Sequence, residues 1–154
     1  MASTCSIARA IIDSNRYMTL GTAHEAGTPW VSPVYYAPAV YTEFFWVSSP
    51  EARHSRNLAA RPEVSIVIFD SRQPIGTDQG VYMSAFAVEL KGEDLDRGIV
   101  VFSRESTEHG AREWTREDVP PPSRHRLYRA VASEHSVLGP PDSGDPRIDT
   151  RRNI

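Results

Sequence analysis

The strongest constraint on this chain is a period-two alternation of apolar and polar residues that recurs between turn signals. Tyr17-Met18-Thr19-Leu20-Gly21-Thr22 alternates like a half-buried strand, and His24-Glu25-Ala26-Gly27 reads as a hairpin turn. Thr28 to Tyr36 returns as a second, aromatic and β-branched strand. Pro33 inside it donates no ladder hydrogen bond, so it marks an edge, a bulge or a place where another group approaches the backbone. Glu43 to Ser48, Val64 to Phe69 and Val81 to Leu90 read as further strands, with the last strands at His125 to Val131 and Ser136 to Leu138. Strictly alternating strand–helix units are absent, so a doubly wound parallel sheet is disfavoured. Five or six hairpin-connected strands with helices between them close most naturally into a small antiparallel barrel.

Three helices interrupt the strands. The first is capped by Thr4, carries Ile7, Ile11 and Ile12 on one face, and ends at Asn15. The second opens at Ser49-Pro50-Glu51, with serine as cap, proline in the first turn and glutamate at the positive helix end, and stops before Pro62. The third places Leu95, Ile99 and Phe102 at helical spacing. Residues 104–118 read as a solvated charged stretch and Pro120-Pro121-Pro122 as a stiff spacer. Residues 1–139 are expected to form one domain, followed by a polar tail at 140–154 that is extended or partly disordered.

Several function classes are disfavoured. A net charge of −3 supplies no domain-wide basic field for nucleic acid. No apolar run has the length of a membrane span, and the N-terminus lacks a secretory signal pattern, so a cytoplasmic location is expected. One cysteine, Cys5, excludes an internal disulfide and reads as an inert thiol. Lys91 is the only lysine among 17 basic residues, a bias that a GC-rich genome explains more simply than function. Walker, G-x-S-x-G, G-x-G-x-x-G and H-E-x-x-H patterns are absent. His109, His125 and His135 are too scattered for a metal site and read as surface or satisfied histidines. Glu93, Asp94 and Asp96 read as a solvated helix face.

The informative segment is 44–70. A strand ends in Ser48 and Ser49, and a helix follows with Arg53, His54 and Arg56 in its first two turns. Helix N-terminal amides, hydroxyls and a guanidinium together suit a phosphate. Plain capping by Ser49 and a solvated basic helix account for the same residues. His54 lies four residues before Leu58 and also fits a position facing the core.

The order helix, YMTLGT, a turn with Gly27, TPWVSPVYY, EFFWVS, a basic helix, RPEVSIVIF and GVYMSAFAVEL resembles the pyridoxamine 5′-phosphate oxidase-like family over roughly residues 7–138. The resemblance implies a mainly β (α+β) fold, a six-stranded antiparallel split β-barrel with flanking helices. It also implies a homodimer and a flavin at the interface, FMN (flavin mononucleotide) or, alternatively, a deazaflavin coenzyme. By the same resemblance the flavin-contacting strand falls on Val31, Ser32, Pro33 and Val34. The phosphate end falls on Val47, Ser48 and Ser49, and the arginine–lysine pair of the helix on Arg53 and His54. The second-strand arginine and lysine of the oxidase are replaced by Ser32 and Ala37, and Arg124-His125-Arg126 matches its C-terminal arginine–histidine motif poorly.

The resulting expectation is a flavin-dependent oxidoreductase that moves a hydride to or from a small substrate other than pyridoxamine phosphate. The alternative is a non-catalytic flavin- or deazaflavin-binding carrier, sensor or stress protein, and beyond it a scaffold that has lost its cofactor. Trp30, Tyr35 and Tyr36 line the substrate side or simply cover the barrel. No catalytic acid or base is indicated. The expected partners are a small-molecule substrate and a second copy of the chain, with no nucleic acid, no membrane and no metal.

Overall fold

The computed structural model describes residues 2–77, 79–139 and 150–154. Helix α1 (Thr4–Ser14) leads into β1 (Tyr17–Ala23), β2 (Pro29–Tyr35), β3 (Ala37–Ala39) and β4 (Glu43–Ser48). Helix α2 (Arg53–Ala60), β5 (Glu63–Phe69), β6 (Gly80–Glu89) and α3 (Gly92–Glu108) follow. A 3-10 turn at Arg116–Asp118, β7 (Arg126–Gly139) and β8 (Thr150–Asn153) complete the chain.

All paired strands are antiparallel, in the order β2-β1-β5-β6-β7-β4-β3, with β8 on β7. The two ends of that order are one piece of chain. β2 and β3 are separated by Tyr36 alone, so residues 29–39 pair with β1 through their first part and with β4 through their second. This strand closes the sheet into a split barrel. Counted as one strand, it gives the six main strands expected from the sequence, and β8 is an addition. Pro33 sits opposite Thr19 on the only pairing that β2 makes among the described residues, which is where a residue without an N–H is tolerated.

Alternation decides the packing. Phe44 and Trp46 point into the barrel, where they join Ile12, Met18, Leu20, Ile66, Met83 and Tyr128. Phe45 between them points outward and packs with Leu127, Ala37 and the α3 stripe Leu95, Ile99 and Phe102. Tyr36 is buried in the barrel and donates to the carbonyls of Ile12 (2.6 Å) and Asn15 (3.0 Å), closing the C-terminal end of α1.

Four local expectations are corrected. Ser3, not Thr4, caps α1, because its hydroxyl accepts from the Ser6 amide at 3.1 Å. Ser49 does not cap α2. Its hydroxyl accepts from the Glu51 amide and its carbonyl from the Ala52 amide, a turn that delays the helix to Arg53. The two last strands are one, β7, whose register with β6 steps between Ser84 and Ala85 and leaves Ser133 as a bulge. Helix α3 runs to Glu108, into the stretch read as solvated. In the tail, residues 140–149 lie outside the described residues, while Thr150–Asn153 pair with Ser136–Gly139 rather than leaving the domain.

Candidate functional site

Helix α2 packs against β1, β2 and β6, and its N-terminal end meets the end of β4. Ala52 occupies the N-cap position without a side-chain hydrogen bond, so the first-turn amides have no side-chain acceptor. The Arg53 guanidinium lies 4.1 Å over the ring of Trp30. Trp30 in turn donates from Nε1 to Ser32 Oγ at 3.0 Å. Arg53, Trp30 and Ser32 therefore form one exposed-to-half-buried ridge across α2 and β2. Arg53 and Arg56 take no ion-pair partner among the described residues. They line a cavity of about 450 Å³ together with His24, Glu25, Asn57 and Ala60. Asn57 is buried and donates to Thr22 Oγ1 at 3.1 Å, which fixes α2 against β1. Uncapped amides and two unpaired guanidinium groups fit a phosphate group here.

His54 does not join that ridge. It is buried, and its Nε2 lies 2.8 Å from Ser48 Oγ. Burial holds its pKa below the ordinary histidine value, which keeps the ring neutral. Of the two orientations that its spacing left open, the structure shows the buried one, with the ring turned to Ser48. Ser48 is engaged by the same bond. Val34 is also buried, in the barrel core, so its side chain is closed to a ligand. Val31 and Pro33 are exposed on β2, and Val31 lines a groove on the outer sheet face with Gly21, Ser65 and Ser84. Val47 is half-buried and faces a different cavity. The predicted residues are thus brought to neighbouring elements, but they divide between the α2 ridge, the core and the far side of β4.

That second cavity, about 440 Å³, opens between the Tyr17–Tyr35 end of the β1–β2 hairpin and the C-terminal end of α3. It is built of aromatic rings set edge to face: Tyr17 on Tyr35, Tyr35 on Phe102, Phe102 on Trp114 and Trp114 on His125. Tyr35 Oη and His109 Nδ1 lie 2.8 Å apart, and His109 Nε2 lies 3.7 Å from Glu105. Desolvation, with the Glu105 charge adding to it, pushes the Tyr35 pKa up to about 12. The sequence reading singled out Tyr35 and Val47 but did not bring the other residues of this cavity to them. The cavity residues come from five separated segments, and His109 and His125 carry no local spacing signal.

Among the described residues no group of three or more His, Cys, Asp or Glu is placed to hold a metal ion, and no helix is long and apolar enough to cross a membrane.

A search among curated proteins finds no match. The heme binding protein from Mycobacterium smegmatis superposes with a TM-score of 0.75 at 20% identity, covering 99% of this chain and 59% of that one. The present chain thus spans little more than half of that protein. HutZ, the heme storage protein from Vibrio cholerae, gives 0.68 at 17% identity over 90% and 95% of the two chains. A FAD-binding protein from Mesorhizobium loti gives 0.63 at 21% identity over 88% and 92%. At these identities the likeness is one of fold. The family model for pyridoxamine 5′-phosphate oxidase matches residues 7–134. With that match spanning the barrel from α1 to the bulge of β7, the chain belongs to the pyridoxamine 5′-phosphate oxidase family.

Proposed function

We propose that this protein is a flavin-dependent oxidoreductase that binds FMN and acts on a small molecule other than pyridoxamine phosphate. The observation that carries the reading is Arg53, held on the Trp30 ring at the uncapped start of α2 without an acidic partner among the described residues. Arg53, Arg56 and the first-turn amides of α2 hold the phosphate. The exposed backbone at Val31 to Pro33 borders the rest of the cofactor. Ser48 and His54 support the pocket from behind and bring no charge to it. When bound, the flavin supplies the hydride chemistry, and the protein orients it and shelters it from water. Replacement of the family's second-strand cations by Ser32 and Ala37 leaves Arg53 carrying more of the phosphate interaction.

The protein acts as a homodimer in this reading. Val31 and Phe86 are 65% and 53% exposed and line one groove on the outer sheet face. A second copy covering that face removes apolar surface from water. Sedimentation of the purified protein tests this, and a monomer at micromolar concentration contradicts it.

A second reading, heme binding, is favoured by likeness in fold to a heme binding protein and a heme storage protein and by His109 and His125 in the aromatic cleft. His109 fits an axial ligand poorly, because Tyr35 and Glu105 face both of its ring nitrogens. One spectrophotometric titration separates the readings. FMN bound with Arg53-dependent affinity supports the flavin reading. Hemin binding with no retention of FMN or deazaflavin overturns it.

A further inference from the structure

The aromatic cleft has a use beyond the α2 phosphate ridge. Three features are combined in it. Its wall is a continuous series of rings, with Phe102 buried and Trp114 half-buried, so a flat apolar ligand loses water on entering. Arg16 lines it, is exposed, and takes no ion-pair partner among the described residues. The other arginine there, Arg112, is already committed to Asp118 at 2.7 Å and to the Trp114 ring at 4.2 Å.

The third feature is the orientation of Tyr35. The Glu105 carboxylate lies 3.7 Å from His109 Nε2, too far for a hydrogen bond but close enough for its charge to favour the imidazole proton on that nitrogen. Nδ1 then accepts, and the Tyr35 hydroxyl donates to it. With its proton committed, the phenol oxygen has only acceptor capacity left. The charged and titratable groups around it are Arg16, Arg112, Glu105 and Glu108 on α3, and His109, His125 and Tyr17. The α3 carboxylates repel an anion, so a ligand carboxylate belongs at the Arg16 side.

We propose that this cleft binds a small aromatic acid carrying a hydrogen-bond donor on its ring. Arg16 pairs with the carboxylate, the rings of Tyr17, Phe102 and Trp114 hold the aromatic plane, and the Tyr35 oxygen accepts from the ring substituent. Tyr35 and His109 set specificity, with Glu105 as the positioning residue behind them.

The test is calorimetric titration of the protein as purified with 4-hydroxybenzoate, 4-methoxybenzoate and 4-hydroxybenzyl alcohol. The expected result is that 4-hydroxybenzoate binds about tenfold more tightly than either analogue, one hydrogen bond or ion pair being lost in each case. In Tyr35→Phe the preference for hydroxyl over methoxy falls to about one. In Arg16→Gln, an exposed position, the preference for acid over alcohol disappears. Equal affinity for the three probes, or no binding of 4-hydroxybenzoate, overturns the proposal without any variant. A preference unchanged in Tyr35→Phe or in Arg16→Gln overturns it as well. Cofactor binding is read separately by visible absorbance, so failure of the α2 site and failure of the cleft are distinguishable.

Discussion

The guanidinium of Arg53 lies 4.1 Å over the Trp30 ring, joining the start of α2 to β2. A stacked arginine is held in one place before any ligand arrives, so less side-chain freedom is lost on binding. Arg53→Ala is expected to weaken FMN binding by about 1.5–3 kcal/mol, the range for a hydrogen bond to a charged group. Trp30→Ala removes the stack and not the charge, and is expected to cost about 0.5–1 kcal/mol of affinity. Fluorescence titration of FMN against both variants checks the order of the two effects.

His54 and Ser48 share a hydrogen bond out of solvent. Placing a longer, charged side chain there buries an ammonium without a carboxylate partner. His54→Lys is therefore expected to destabilise the fold by about 2 kcal/mol or more, and FMN affinity is expected not to rise. Urea unfolding and the FMN titration together test this. Tighter FMN binding by a stable variant would falsify the assignment of His54 to the interior.

The same residue predicts a pH dependence. Burial lowers the folded-state pKa of His54 below its unfolded value of 6.5. Between those two values the unfolded chain binds more protons, so stability rises with pH there. The contribution is complete above about pH 6.5 and is lost as the pH falls toward the folded pKa. Unfolding curves across that range are expected to show this loss in the wild type and a shallower one in His54→Asn.

Gly98 marks where α3 comes closest to the sheet. A Cβ there would lie 2.8 Å from Leu90 Cδ1, 2.9 Å from Phe45 Cε1 and 3.0 Å from Leu127 Cδ2. The leucine ends can move, but the Phe45 ring is fixed in the packed layer. Overpacking is expected to outweigh the helix-propensity gain, so Gly98→Ala should lose about 1–3 kcal/mol. Thermal melting is the direct check.

The strands were legible because their alternation follows burial on a two-sided sheet, as in β1, β5 and β6. The β3–β4 hairpin was not. Its turn holds Val40 and Tyr41, both with positive φ, where the sequence offers neither asparagine nor glycine. The start of α2 was misplaced because a Ser-Pro-Glu turn and a Ser-Pro-Glu helix start read alike. The place of Arg53 at the start of α2 was legible from its position after a strand end. The interior position of His54 was left open by its spacing and was settled by the contact with Ser48. The aromatic cleft depends on Arg16, Tyr35, Phe102, His109 and Trp114 meeting in space, which no local pattern encodes.

The central claim is that α2 and Trp30 present a phosphate site for a flavin. The most direct measurement is a visible spectrum of the purified protein after incubation with FMN and desalting, run beside Arg53→Ala. The account predicts retained flavin absorbance in the wild type and a clear loss in the variant. A wild type that retains no FMN, or a variant that retains as much, would contradict it.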